Sequence, residues 1–150
     1  MKIIFTILVS LICIQLFACS KNNVIEHTNN SNTDTTKMKI TIGSAVFTAT
    51  LNNNATATAF KAKLPLTINM TELNGNEKYF DLPVNLPANA SNPGTIQAGD
   101  LMLYGSNTLV LFYKSFSTSY NYTPIARIDN PLGLVSALGA GNITVKFELQ

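Results

Sequence analysis

From Met38 to Leu51 the chain reads MKITIGSAVFTATL, with apolar side chains at alternating positions on both sides of Gly43-Ser44. Alternation of period two puts one face of a strand toward a core, and a glycine at the break accepts the positive φ of a tight turn, so the segment predicts a hairpin. The period then changes. In NNNATATAFKAKLP, Asn54 is suited to cap a helix, Ala57, Phe60 and Leu64 fall at i, i+3 and i+7, and Pro65 ends the run, which predicts one short amphipathic helix. LTINMTEL, the Asn74-Gly75 turn signal and KYFDLP predict two more strands.

PVNLPANASNPGTIQAG, with Pro83, Pro87 and Pro93, predicts a loop longer than most in compact domains. Such loops either carry function or cover the end of a barrel. DLMLYGSNTLVLFYK is the strongest hairpin, two nearly continuous apolar strands about Gly105-Ser106-Asn107, and predicts burial on both faces. TPIARID reads as a strand. Asn130-Pro131 follows as a cap and first-turn pair, Leu134, Val135 and Leu138 form an apolar helical stripe, and Gly139 and Gly141 stop it. ITVKFEL closes the chain with period two. About eight strands and two short helices in this order predict a mainly β fold. It is a closed antiparallel β-barrel with a helix at each end, because closure removes edges that so many apolar strands would otherwise expose.

The first residues follow another logic. MKIIFTILVSLICIQLFACSKNN has one lysine, an apolar run from Ile3 to Ala18, then Cys19 and polar residues, the layout of a secretion signal. The run is shorter than the roughly 20 residues a spanning helix needs. Leu16-Phe17-Ala18-Cys19 resembles the bacterial lipobox, with a leucine three before the cysteine and a small residue just before it. The expected organisation is a lipoprotein signal peptide at 1–18, a lipidated Cys19 with a flexible tether to residue 36, and one folded domain over 37–150. In the tether, 11 of the 17 residues from Ser20 to Thr36 are Asn, Ser or Thr, so no apolar period is available to fold around. Membrane lipid, reached through the acylated Cys19, is then the expected partner, and the cell envelope, facing periplasm or exterior, the expected location.

Composition narrows the chemistry. Loss of Lys2 with the leader leaves nine basic residues against eight acidic ones, too balanced a charge for a nucleic-acid footprint. Of two cysteines, Cys13 leaves with the signal and Cys19 carries lipid, so no disulfide is expected. The one histidine, His27, stands alone in the tether, and no metal site or cofactor is expected. Without a histidine or free thiol in the domain, Ser-His and Cys-His nucleophiles are unavailable. The acidic residues Glu72, Glu77, Asp81, Asp100, Asp129 and Glu148 show no spacing that selects a pair.

GDLMLYGSNTLVLFY, SYNYTPIARID and LVSALGAGNITVKFEL together resemble the bacterial cyclophilin-like domains, small barrels related in fold to cyclophilin. The resemblance covers about residues 37 to 150 and rests on the Gly99-Asp100 step, the LVLFY strand and the terminal helix-strand unit. It implies a cyclophilin-like barrel and raises peptidyl-prolyl cis-trans isomerase activity. Gln97-Ala98-Gly99-Asp100 is similar to the cyclophilin Gln-Gly-Gly-Asp segment, whose glutamine contacts the substrate backbone. The rest departs: the Phe-Met pair upstream corresponds to Gly94 and Thr95, the arginine position to Asn89, and the chain has no tryptophan. Only Gln97 carries over from that site.

Arg127, the sole arginine, is the candidate replacement for the missing donor. Strand geometry sets Ile125, Arg127 and Asp129 on one face, so Arg127 either stands at the barrel mouth beside Tyr120 and Tyr122 or pairs with Asp129 or solvent. Tyr113, Phe116, Tyr120 and Tyr122 crowd into ten residues. Tyr113 continues an apolar strand and reads as core, whereas Phe116, Tyr120 and Tyr122 join Arg127 as ligand-binding candidates. The leading expectation is a non-catalytic module that binds a peptide or small molecule. A divergent prolyl isomerase using Arg127 and Gln97, and a structural envelope component, are the alternatives. Oligomeric state leaves no mark in the chain.

If Cys19 carries the anchor, Cys19→Ser yields an uncleaved or soluble species in a membrane fractionation. Normal processing with unchanged membrane retention would overturn that assignment.

Overall fold

In the computed structural model, which describes residues 36–150, the alternating segments close on themselves. In chain order the elements are β1 (Lys37–Ile42), β2 (Ala45–Leu51), α1 (Ala55–Lys61), β3 (Leu66–Leu73) and β4 (Glu77–Asp81). They continue with β5 (Thr95–Ile96), β6 (Asp100–Tyr104), β7 (Thr108–Phe112), β8 (Phe116–Ser117), β9 (Thr123–Ile128), α2 (Leu134–Leu138) and β10 (Ile143–Leu149). Eight strands form a closed barrel in the order β1-β10-β3-β4-β7-β6-β9-β2, every neighbouring pair antiparallel. The closed antiparallel barrel with two helices expected from the pattern is therefore the fold. Strands β5 and β8 pair only with each other, and at two residues each they are too short to show a period. Cys19 and His27 lie outside the described residues.

Alternation fills the interior. Met38, Ile40 and Ile42 from β1, Phe47, Ala49 and Leu51 from β2, and Val145 and Phe147 from β10 are all buried in one cluster. Helix α1 seats Phe60 edge-on against Phe147, ring centroids 5.8 Å apart. Asn54 caps α1 as expected, its Oδ1 accepting from the Ala57 N–H at 2.8 Å while its Nδ2 donates to the Pro124 carbonyl. Part of the proline-rich loop covers the core: Leu82 and Leu86 are buried in the main cluster, and Thr56 Oγ1 donates to the Pro87 carbonyl at 2.6 Å.

Helix α2 differs from its expected start. Pro131 opens a turn, its carbonyl accepting from the Leu134 N–H, and Gly133 at φ 84° breaks the helical path before Leu134. A left-handed residue cannot continue a right-handed helix, so the regular turns begin at Leu134, three residues later than Asn130-Pro131 implies. Leu134 and Leu138 are buried, while Val135, 100° round the helix from Leu134, is exposed. The barrel takes two residues of the stripe rather than three.

An ion pair with a buried cation holds α2 at the end of the barrel opposite α1. Along β3 the inward series Ile68, Met70 ends at Glu72, which pairs in register with Lys78 of β4. Lys78 is 0% exposed. Its ammonium donates to Glu72, to the Gly139 carbonyl at 2.9 Å and to the Gly141 carbonyl at 2.6 Å, which uses all three protons. It also stands 5.4 Å from the Tyr113 ring centroid. Glu72 is held from its other side by the Tyr113 hydroxyl at 2.8 Å and the Gly75 N–H at 2.9 Å. Burial alone would raise the Glu72 pKa, but the hydrogen bonds from Lys78, Tyr113 and Gly75 outweigh it and hold the carboxyl below its ordinary value. Burial, and then the same carboxylate, push the Tyr113 hydroxyl up to about 12.

A depressed carboxylate stabilises the fold above its unfolded pKa, and that contribution is lost as pH falls through its folded pKa. Lys78→Met strands Glu72 and two carbonyls, so we expect a loss of about 3 kcal/mol in urea unfolding at neutral pH. The part of the wild-type acid sensitivity due to Glu72, setting in below about pH 4, should shrink in the variant.

Candidate functional site

Strands β6 and β7 carry apolar side chains on both faces. Leu101, Leu103, Leu109 and Leu111 point into the barrel, and Met102, Val110 and Phe112 point out, where Ile96 and Tyr122 complete a second buried cluster. Two segments must cover that outer face, and the β5–β8 pair is where they meet. Phe116 packs on Phe112 at 5.7 Å between centroids, and Tyr122 meets Phe112 edge-on at 5.4 Å. A bridge between Ser91 and Tyr122 ties the proline-rich loop to the same layer.

At the rim this layer opens to solvent. Tyr104 follows Met102 on the outward series of β6 and lies 5.6 Å from Tyr122 and 6.1 Å from Tyr120 between ring centroids. Tyr122 is buried, whereas Tyr104 and Tyr120 are 45% and 61% exposed. With Leu73, Asn74, Glu77 and Val110 the three tyrosines enclose a cavity of about 220 Å³. Glu77 reaches it from β4, opposite Phe112 in register. Burial first, and then the charge of Glu72, raise the Glu77 pKa above the ordinary value. Burial and the charge of Glu77 likewise raise that of Tyr122.

A second cavity, of about 500 Å³, is lined by Thr50, Gln97, Ala98, Ser115, Arg127, Ile128, Asp129 and Pro131. Its floor is the Gln97–Asp100 turn. Asp100 Oδ2 accepts from the Gln97 N–H at 2.8 Å, and Ser115 Oγ accepts from the Ala98 N–H at 3.0 Å. Gly99 sits at φ 94°, and a Cβ there would lie 3.1 Å from Cβ of Ile128, so the turn needs glycine both for its dihedral and for its clearance. Burial raises the Asp100 pKa despite the Gln97 N–H and the nearby Arg127 charge.

Arg127 pairs with Asp100, Nε to Oδ1 3.4 Å, across the β6–β9 ladder. The expected partner Asp129 is already engaged, accepting from Lys37 Nζ at 2.9 Å and Thr50 Oγ1 at 2.6 Å, which lowers its pKa. Nor do Ile125 and Arg127 share a face. The register shifts between Leu101 and Met102, so Ile125 turns into the core beside Ala126 while Arg127 stays 55% exposed. Thus Tyr120 and Tyr122 line one cavity, Arg127 and Gln97 line another, and Phe116 is packed in the apolar layer.

Two residues at the tyrosine cavity, Tyr104 and Glu77, escape a reading of the chain alone. Period two sets Tyr104 on the face of Met102, which is a usable signal. Only the β4–β7 register brings Glu77 there. Among the described residues no group of three or more His, Cys, Asp or Glu is placed to hold a metal ion, and no helix is long and apolar enough to cross a membrane.

Comparison with known proteins gives the same architecture. A family model described as the cyclophilin-like family matches residues 40–148. The solution structure of a hypothetical protein from Archaeoglobus fulgidus superimposes with a TM-score of 0.55 at 20% identity, covering 77% of this chain and 95% of that one. No curated protein matches the chain in sequence.

Arg127 lies largely in water and its Nε stands 3.4 Å from Asp100, so the pair should contribute little and Arg127→Ala is expected to change unfolding free energy by less than about 1 kcal/mol. Asp100→Ala removes the buried acceptor of the Gln97 N–H and should cost about 2 kcal/mol. Equal losses in denaturant melts would mean that the ion pair, not the turn, carries the stability.

Proposed function

The chain belongs to the cyclophilin-like family, and from that premise we propose that it is a non-catalytic module that binds a peptide or small molecule. The observation that carries this reading is the Tyr104–Tyr120–Tyr122 cluster, two of whose rings face solvent while the third is built into a rigid apolar layer. Tyrosine combines apolar area with a polar tip and few rotatable bonds, and a ring already held by its neighbours loses little entropy when a ligand docks. Barrel stability does not require Tyr120 to lie at this rim, since its ring is largely in water. We further propose that the domain is tethered to a bacterial envelope through lipid on Cys19, on the strength of the leader and the Leu-Phe-Ala-Cys motif that ends it.

A second reading, a divergent prolyl isomerase, draws support from one fact: Gln97 and Arg127 line the same cavity. Against it stands the lining, where Thr50, Ser115 and Asp129 leave only Ala98, Ile128 and Pro131 as apolar surface for a proline ring.

A peptide library screened on the intact protein separates the two. Binding at the tyrosine rim predicts that Tyr104→Ala and Tyr120→Ala each weaken the best peptide about ten-fold, from lost aromatic contact, with melting temperature unchanged. Peptide affinity indifferent to both changes would remove this site. Acceleration of prolyl isomerisation that vanishes in Arg127→Ala would instead establish the second reading.

A further inference from the structure

Glu77 is the polar group in this layer that packing does not explain. Apart from Asn74 in the adjoining turn, its neighbours are apolar or aromatic, with Phe112 opposite it in register and Tyr104, Val110, Tyr120 and Tyr122 around the same cavity. Its side chain makes no hydrogen bond or ion pair among the described residues, in contrast to Glu72, Asp81, Asp100, Asp129 and Glu148, each of which has at least one. A carboxylate drawn partly out of water without a donor is a cost to folding, and an unexplained group of this kind asks for a role.

Among the described residues no cation supplies the missing partner. The adjacent Lys78 points to the opposite face and is fully used by Glu72, Gly139 and Gly141, and Lys114 lies over the Tyr113 ring at 5.9 Å. Among the described residues neither lysine nor arginine lines the tyrosine cavity. A tyrosine ring turned face-on to an ammonium within about 6 Å of its centroid adds to the effect of the carboxylate, since the ring face carries the negative end of its quadrupole. An anion would meet the charge of Glu77 at once.

We propose that the Tyr104–Tyr120–Tyr122 cavity receives an alkylammonium group, with the tyrosine rings as its cage and Glu77 as its counter-ion. This inference rests on the tyrosine rim being the binding site and adds the charge of the ligand. A methylated lysine side chain of a peptide and a free quaternary ammonium compound share that chemistry. Exposure of Tyr104 and Tyr120 leaves the cavity open to either. The preference for methylated over plain ammonium comes from Leu73, Val110 and the three tyrosines making up most of the lining, surfaces that N-methyl groups can contact and that a strongly hydrated ammonium would have to shed water to meet.

The test is ligand-observed NMR on the full chain in a nonionic detergent, with detergent alone as the blank. Three probes are compared: a short peptide with trimethyllysine, the same peptide with its uncharged tert-butyl isostere, and tetramethylammonium. The cationic peptide should bind at least ten-fold more tightly than the isostere. Glu77→Gln should remove most of that difference and leave the isostere unchanged, and Tyr120→Ala should weaken both peptides. Saturable binding of tetramethylammonium alone supports a free cation as the source, whereas binding of the cationic peptide alone supports a side chain.

If cation and isostere bind equally and both depend on Tyr120, the charge assignment falls and the rim stands as a site. Should both bind without regard to Tyr120, the rim itself is lost. Absence of binding by both cationic probes overturns the ammonium proposal, with the peptide screen left to judge the rim. The two peptides on the unmodified protein decide the question of charge even if Glu77→Gln does not fold.

Discussion

Pairing of β1 with both β2 and β10 joins the first described strand to the last and leaves no free edge in the main sheet. Every strand can then be apolar on its inner face without offering a template to another chain. An eight-stranded barrel has an interior just wide enough for its own side chains, and here Met38, Ile40, Met70, Leu101, Leu111 and Phe147 occupy it. Closure thus removes the interior as a place for a ligand. Whatever this domain binds has to be met on the outside, where β6 and β7 present a second apolar face and the segments on either side of them fold back to cover it.

Charge is used sparingly and in two manners. At the α2 end, Lys78 is sunk in the barrel and satisfied by the partly exposed Glu72 and by carbonyls just past the helix, while Tyr113 holds Glu72 from its other side. Such an arrangement fixes where α2 ends and how β3 and β4 meet, and its strength comes from completeness, because any one missing partner would leave a buried charge. At the tyrosine rim, Glu77 has no such company. The two glutamates belong to adjacent strands and differ in which face of the sheet they occupy, so that one closes the fold and the other lines the tyrosine cavity.

Much of the architecture was legible in the chain. The Gly43-Ser44 and Asn74-Gly75 turns, the Asn54 cap and the two-faced hairpin about Gly105 all lie where local pattern puts them, since strand period, helix caps and tight turns are short-range effects. Failures began where a distant partner decides. Val135 belongs to the apolar stripe by spacing but misses the barrel end, and Arg127 finds Asp100 rather than Asp129 because Lys37 and Thr50 hold Asp129 first. A bulge opposite Leu101 and Met102, which no local period records, turns Ile125 inward.

By itself the sequence determined the eight barrel strands and the two helices, which follow from periodicity and turn chemistry acting within a few residues, while the family was legible through resemblance to known cyclophilin-like domains. Only the tertiary structure decided that Tyr104 and Glu77 stand with Tyr120 and Tyr122, and that Arg127 stands with Gln97. Those groupings depend on the registers of β4 with β7 and of β6 with β9. Register is a property of pairs of strands far apart in the chain, and shifting it by one residue moves every side chain to the other face.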